Sequence, residues 1–289
     1  MLTQRQKLFI EFSLTQVELL CFGDMEHKEF AIYDAVTGVD CVDILKKGGV
    51  RFFCDEISTM VNRLTGPLAM AQMPRDEYVE LTSQFIRGDI GPQRQKLMAN
   101  RFADWVLNPV SRLLPMGIDT RVQLTPMAGN KFAVTSPTHD AMRTLAQRGG
   151  DITQKEARTI MLSAFAADQS IAAEVEQFVA HGKTAILFGA AHFRGPYTSQ
   201  HTDLGTYLRK NRKTVVINVG TPAQTADDAI RQTTYELLNF LPPSHSPSAT
   251  IYVGKDVKEA EDIVIHDEPL RKKFIDYARA KNIDLGLGD

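Results

Sequence analysis

The chain has 289 residues and a formal net charge of −2, from 33 Lys and Arg residues against 35 Asp and Glu residues. Such a balance provides no bulk field that favours nucleic acid or anionic lipid, so we expect no polyanion partner. The three cysteines, Cys21, Cys41 and Cys54, lack CxxC spacing and lie in apolar contexts, which predicts reduced interior thiols rather than a disulfide framework.

The chain shows no signal for a membrane span. No apolar run reaches the roughly 18–20 residues that a spanning helix needs, and the N-terminus lacks the basic and apolar regions of a signal peptide. We therefore expect a protein that is cytoplasmic, or secreted without a cleaved signal peptide as a bacterial effector would be. The length suits a single α/β domain over residues 1–289.

The first elements form a βαβ unit. The apolar run at residues 17–22, closed by Gly23, predicts a buried strand, and apolar residues at three-and-four spacing predict a helix over residues 26–47 that stops at Gly48 and Gly49. Residues 50–54 predict a second buried strand. Strand, helix and strand within 40 residues imply a parallel, right-handed crossover.

The middle of the chain is mostly helical. Residues 57–118 predict a helical insertion or cap after the second strand, because this stretch is too long for a simple crossover. Residues 121–124 and 132–135 predict a hairpin, and residues 138–148 and 153–180 predict two helices.

The last part returns to strands. Residues 184–193 predict a strand that ends in Gly189 and His192, followed by a helix at 204–210 and a strand at 214–219. A proline-rich loop at 241–248, an edge strand at 251–253 and a closing helix at 268–281 complete the pattern. The whole indicates an α/β fold with a mainly parallel open sheet flanked by helices and with a helical insertion after the second strand.

Ionisable side chains follow three of the predicted strands. Asp24, Glu26 and His27 come after the first strand, Glu56 after the second, and His192 after a later one. Since the carboxyl ends of parallel strands meet at one edge of an open sheet, and ligands bind at that edge, we expect these groups to converge on a crevice.

The residue types favour bond hydrolysis. His27, His192 and Glu56 can ligate a divalent metal that activates water, or the histidines can act without metal as base and acid while Glu56 and Asp24 orient them. Each residue taken alone also has a structural interpretation. His27 can be a loop histidine that bonds nearby backbone, Asp24 a helix cap, and Glu56 the ion-pair partner of an arginine. Three further residues are candidates for substrate binding: Glu26, Arg194 and His201.

These motifs resemble a known superfamily. A G-[DE]-x-x-H-x-E-F pattern at residues 23–30, a strand that ends in Glu56, and a G-x-x-H ending at residues 189–192 are similar to the group of erythromycin esterase-like proteins, ChaN-like haem-binding proteins and TraB/TIKI proteases. Residues 168–172 also resemble the R-[DN]-x-x-M-A segment of that group, with Ala167 in place of the Arg. Asp24 and Gly189 stand where the esterase branch has Glu and His, so the chain falls between branches.

Three functions remain open at this stage. The first is a hydrolase of a small-molecule or peptide substrate. The second, which the ChaN-like resemblance implies, is binding of haem or another ligand by the same histidines without catalysis. The third is an effector or toxin domain whose insertion docks a host protein.

Overall fold

The protein is built around one seven-stranded sheet with helices on both faces. The structure is a computed structural model that describes residues 2–25, 30–86, 90–118, 124–127, 131–134, 168–193, 203–221, 247–254, 257 and 262–285. Every neighbouring pair of strands in this sheet is parallel except the last, β8 with β9. The predicted fold class is confirmed.

The sheet has the strand order β3-β2-β6-β1-β7-β8-β9, and a separate antiparallel hairpin is formed by β4 and β5. The strands are β1 Leu19–Asp24, β2 Phe52–Asp55, β3 Leu114–Gly117, β4 Leu124–Met127, β5 Lys131–Val134, β6 Thr184–Gly189, β7 Thr214–Gly220, β8 Ala249–Tyr252 and β9 Ile263–Ile265. The helices are α1 Gln4–Gln16, α2 Phe30–Thr37, α3 Val39–Lys47, α4 Met60–Ala69, α5 Arg75–Ser83, α6 Pro92–Leu107, α7 Asp168–Val179, α8 Leu204–Asn211 and α9 Glu268–Ala280.

Alternation along the central strands divides the apolar side chains between two cores. Leu20 and Phe22 of β1 belong to the larger core, which also takes residues from α1–α6 and α9. Leu19 and Cys21 belong to the second core, which is covered by α7 and α8. Each central strand is therefore buried on both faces, which is why these strands appear in the sequence as continuous apolar runs.

The connections that follow β1 and β6 run along opposite faces of the sheet. After β1 the chain continues into α2 and α3 on the larger core and reaches β2, whereas after β6 it continues into α8 on the second core and reaches β7. Since β1 and β6 are neighbours, the sheet has a topological switch point between their carboxyl ends. In open α/β sheets this is where a crevice forms.

Several predicted bounds need correction. The helix predicted over residues 26–47 is interrupted at Gly38, whose extended backbone (ψ 162°) precedes α3. A Cβ at Gly38 would lie 2.5 Å from the carbonyl oxygen of Asp34, so the break depends on glycine. The hairpin is confirmed, with its first strand displaced toward the C-terminus.

The sheet extends further than predicted at both ends. The stretch predicted as helical insertion contains α4, α5 and α6 but ends in β3, an edge strand that tolerates Pro115 because one side of it is unpaired in the described sheet. At the other end β8 is not the edge, because the three-residue strand β9 pairs with it. The assignment of residues 1–289 to a single domain remains a prediction.

Candidate active site

Buried acids end two strands beside the switch point. Asp24 is the last residue of β1 and lies beside Gly189 of β6, while Asp55 is the last residue of β2 and lies beside Leu187 of the same strand. Both carboxylates are buried. Because β6 lies between β1 and β2, the ends that carry Asp24, Glu56 and His192 belong to three neighbouring strands.

His192 is held by a buried carboxylate. It lies in a single 3-10 turn, Ala190–Phe193, directly after β6, with its ring edge-on to Phe188. Its Nδ1 is 2.6 Å from Oδ1 of Asp168, a residue of α7. Because a carboxylate only accepts hydrogen bonds, Nδ1 carries the proton and Nε2 is the ring atom directed away from Asp168. Its side chain is 14 % exposed, so the ring is within reach of the crevice.

Asp168 also anchors the next helix. Its Oδ2 accepts from the backbone N–H of Leu204, at 3.0 Å, where α8 begins. Asp203, the N-cap of α8, accepts from the N–H of Thr206 at 2.6 Å. Carboxylates at a helix N-terminus satisfy its unpaired N–H groups and interact favourably with its dipole. The orientation of the His192 ring is therefore tied to the start of α8.

The electrostatic environment favours a protonated His192. Burial, the largest single influence, lowers its pKa, but the hydrogen bond and charge of Asp168, with the charges of Glu56 and Asp203, outweigh burial and raise the pKa above 6.5. Burial raises the pKa of Asp168, and the bond to His192 opposes that rise. The pair thus binds a proton more tightly than an isolated histidine.

Glu56 is positioned from the opposite core. The backbone N–H of Glu56 donates to Oδ1 of Asp55 at 2.8 Å, and the hydroxyl of Tyr33, on α2, donates to Oδ2 of the same carboxylate. Tyr33 and Asp55 are both buried. The backbone at Glu56 is therefore fixed by a buried pair, while the charge of Glu56 acts on His192.

The two sheet faces contribute different groups to the crevice. Asp24 shares the face of Leu20 and Phe22 by strand alternation, whereas His192 packs with Phe188 on the face covered by α7. Asp24 and His192 therefore belong to opposite faces of the sheet, at its carboxyl edge. Asp24, Glu56 and His192 lie at one edge of the sheet, and their catalytic roles remain predictions. Four other predicted site residues lie outside the described residues: Glu26, His27, Arg194 and His201.

The metal prediction gains no support. Among the residues that the structure describes, no group of three or more His, Cys, Asp or Glu side chains is arranged to hold a metal ion. The predicted ligands were His27, His192 and Glu56, and His27 is not described.

The cysteines take no part in the site. All three are free and buried, as predicted. Burial raises the pKa of the Cys41 thiol to about 12 and also raises those of Cys21 and Cys54. Thiols with such pKa values are poor nucleophiles at neutral pH.

No role was predicted for Asp168. Residues 168–172 resemble a superfamily segment, and that resemblance was a signal that could have marked Asp168, which lies inside the helix predicted over residues 153–180. Tyr33 was also missed, because within the predicted helix it was only one member of an apolar pattern, and nothing in that pattern distinguishes a hydroxyl that bonds a carboxylate on another strand.

Two solved structures are similar to this chain. One is a structure of ChaN from Campylobacter jejuni that describes cofacial haem binding: identity is 14 %, the TM-score is 0.43, and the match covers 73 % of this chain and 84 % of that one. The other is the type III effector HopBA1, with 16 % identity, a TM-score of 0.37 and 86 % of each chain covered.

The first structure is of the ChaN branch named by the motif resemblance, and these comparisons provide no support for the TraB/TIKI branch. No protein-family model matches the chain, and no curated protein is significantly similar to it. At these levels of similarity its function must follow from its own site. Within the described residues no helix is both long and apolar enough to cross a membrane.

Proposed function

We propose that the protein is a hydrolase in which His192 acts as general base and then as general acid at the switch-point crevice. The observation that carries the proposal is the 2.6 Å contact between Nδ1 of His192 and the buried carboxylate of Asp168. A carboxylate in this position fixes the tautomer, orients the ring and stabilises the imidazolium that forms when Nε2 accepts a proton from water.

The surrounding acids have separate roles. Glu56 raises the pKa of His192 by its charge, and Asp24 faces the same crevice from the other side of the sheet. His27, Glu26, Arg194 and His201 complete the proposed set as catalytic or substrate-binding residues. Asp168 is a positioning residue, because it acts through the His192 ring.

Turnover by the purified protein tests the proposal. A panel of ester, peptide and phosphoester substrates is assayed with and without chelator, for wild type and for His192→Gln. His181→Gln is the matched control, because His181 is exposed, lies just after α7 and bonds only the carbonyl oxygen of Gln177 through its ring Nδ1 among the contacts described. The proposal predicts that His192→Gln loses turnover while its melting temperature stays near that of wild type and His181→Gln remains active. Equal turnover in all three proteins would exclude it, and chelator-sensitive turnover would add the divalent metal.

Haem binding is the second candidate, and the same geometry favours it. Histidines that ligate metals usually donate their other ring N–H to a carboxylate or carbonyl, as Nδ1 of His192 does to Asp168. Titration with hemin then gives a Soret band that is lost in His192→Gln and retained in His181→Gln. A flat titration of the wild-type protein removes this candidate.

A further inference from the structure

Asn218 carries a buried side-chain amide. It lies on β7, and its register partner on the neighbouring strand β1 is Gly23. The residue is 0 % exposed, and among the residues that the structure describes neither its Oδ1 nor its Nδ2 has a hydrogen-bond partner. Such groups are rare in folded proteins because each gives up its bonds to water without replacement.

The amide occupies a notch beside the turn that carries His192. A Cβ placed on Gly23 would lie 2.3 Å from Oδ1 of Asn218, and 3.2 Å from both Cα of Ala190 and Cδ2 of Phe193. The missing side chain of Gly23 thus makes the space that Asn218 fills. Ala190 and Phe193 are the first and last residues of the turn, so the amide lies next to the part of the chain that presents His192.

The geometry points to Asn218 as a ligand-binding residue of the crevice, for a ligand group that offers both a donor and an acceptor, such as a carboxamide. This inference rests on the proposed function, since it places the substrate beside His192. To reach a ligand, the side chain must change rotamer or the short turn must shift. An amide with no partner breaks no hydrogen bond when it does so, and an isolated 3-10 turn has poor internal hydrogen-bond geometry.

The ligand class follows from the two unpaired atoms. Nδ2 needs an acceptor and Oδ1 needs a donor, and a carboxamide supplies both. An ester supplies only acceptors and would leave Oδ1 unpaired. A site that hydrogen-bonds both atoms therefore discriminates an amide from the corresponding ester.

The test compares Asn218→Leu with Asn62→Leu. Leucine has the same number of side-chain heavy atoms as asparagine, branched at the same position, but no polar atoms. Asn62 is the matched control because its Nδ2 donates to the carbonyl of Gly117 at 3.0 Å and its Oδ1 accepts from the N–H of Gly117 at 2.6 Å. Melting temperature is measured for each variant, with kcat/KM on a 4-nitroanilide and a 4-nitrophenyl ester of the same acyl group.

The expected result separates the two variants. Asn218→Leu raises the melting temperature by about 2–4 °C, since it removes an unpaired buried amide, while Asn62→Leu lowers it by a similar amount. Asn218→Leu also lowers kcat/KM on the anilide by about tenfold or more and changes the ester value far less. Melting at a lower temperature in Asn218→Leu would overturn the inference, and so would an unchanged ratio of anilide to ester turnover.

If the wild-type protein hydrolyses neither substrate, binding decides the role of Asn218 separately from the proposed hydrolase. In that case the side-chain NH2 resonance of Asn218, identified by its absence in Asn218→Leu, is followed by NMR during titration with acetamide and with methyl acetate. A saturable shift with acetamide alone supports the inference. No shift, or equal shifts with both compounds, overturns it.

Discussion

Replacing Asp168 with asparagine is the most direct perturbation of the candidate site, because it removes the charge and nearly preserves the shape. The carboxylate accepts from two donors, Nδ1 of His192 at 2.6 Å and the N–H of Leu204 at 3.0 Å. Asparagine has one oxygen, so one of the two contacts is lost in either orientation. If the oxygen stays with Leu204, the new NH2 group faces Nδ1, and the ring must carry its proton on Nε2.

The expected change in the pKa of His192 can be estimated from these contacts. A hydrogen bond to a charged group contributes about 1.5–3 kcal/mol, and here that contribution favours the protonated ring. Losing the bond to Asp168 should therefore lower the pKa of His192. Burial, which already acts in that direction, then dominates and takes the pKa below its ordinary value of 6.5.

The pKa is measured by NMR from the Cε1–H resonance of His192, identified by its absence in His192→Gln. Asp267→Asn is the control, because Asp267 caps α9 by accepting from the N–H of Leu270 at 2.9 Å and so undergoes the same change at another helix start. Turnover in Asp168→Asn should fall by about 10²–10⁴-fold, as expected when a base is held in the wrong tautomer. An unchanged or higher pKa of His192 in Asp168→Asn would refute the pairing.

Three further predictions use the same protein. Glu56→Gln lowers the pKa of His192 by less than Asp168→Asn does, because the charge of Glu56 acts on the ring without the direct bond that Asp168 makes; the same titration measures it. Gly23→Ala lowers the free energy of unfolding by about 1–3 kcal/mol in urea denaturation, since the new Cβ would meet Oδ1 of Asn218, and most of this loss disappears in an Asn218→Ala background. Finally, the raised pKa of His192 means that its protonation stabilises the fold fully below about pH 6.5 and that this stability is lost as the pH rises through the raised pKa. As the pH rises from about 6 to 8, the melting temperature of the wild-type protein should therefore fall relative to that of His192→Gln. A difference between the two melting temperatures that stays constant with pH would contradict this.

The central sheet was predictable because its strands are buried on both faces. A strand with that environment must be apolar along its whole length, so β1, β2, β6 and β7 are visible in the sequence as short continuous runs. The positions where these runs give way to charge also predicted which edge of the sheet would carry Asp24, Glu56 and His192. That prediction needed only the parallel direction of the strands.

Short elements and long-range partners could not be predicted in the same way. Strand β9 has three residues and β3 contains Pro115, so neither has a periodic pattern of its own, and both depend on a neighbour that is already in place. Asp168 is 24 positions from His192 in sequence and meets it only because α7 and β6 contribute to the same core. A local pattern does not specify which buried acid contacts which ring.

The two cores contribute different parts of the candidate site. Tyr33 and Asp55 fix the backbone of Glu56 from the larger core, whereas Asp168 fixes the ring of His192 from the second core, and in the described structure these two groups of hydrogen bonds share no residue. The sheet separates the two cores, so side chains that are held by different cores can approach each other only at an edge of the sheet. At the topological switch point, the connections that follow two neighbouring strands run to opposite faces of the sheet. Residues supported by either core therefore meet there, as Glu56 and His192 do.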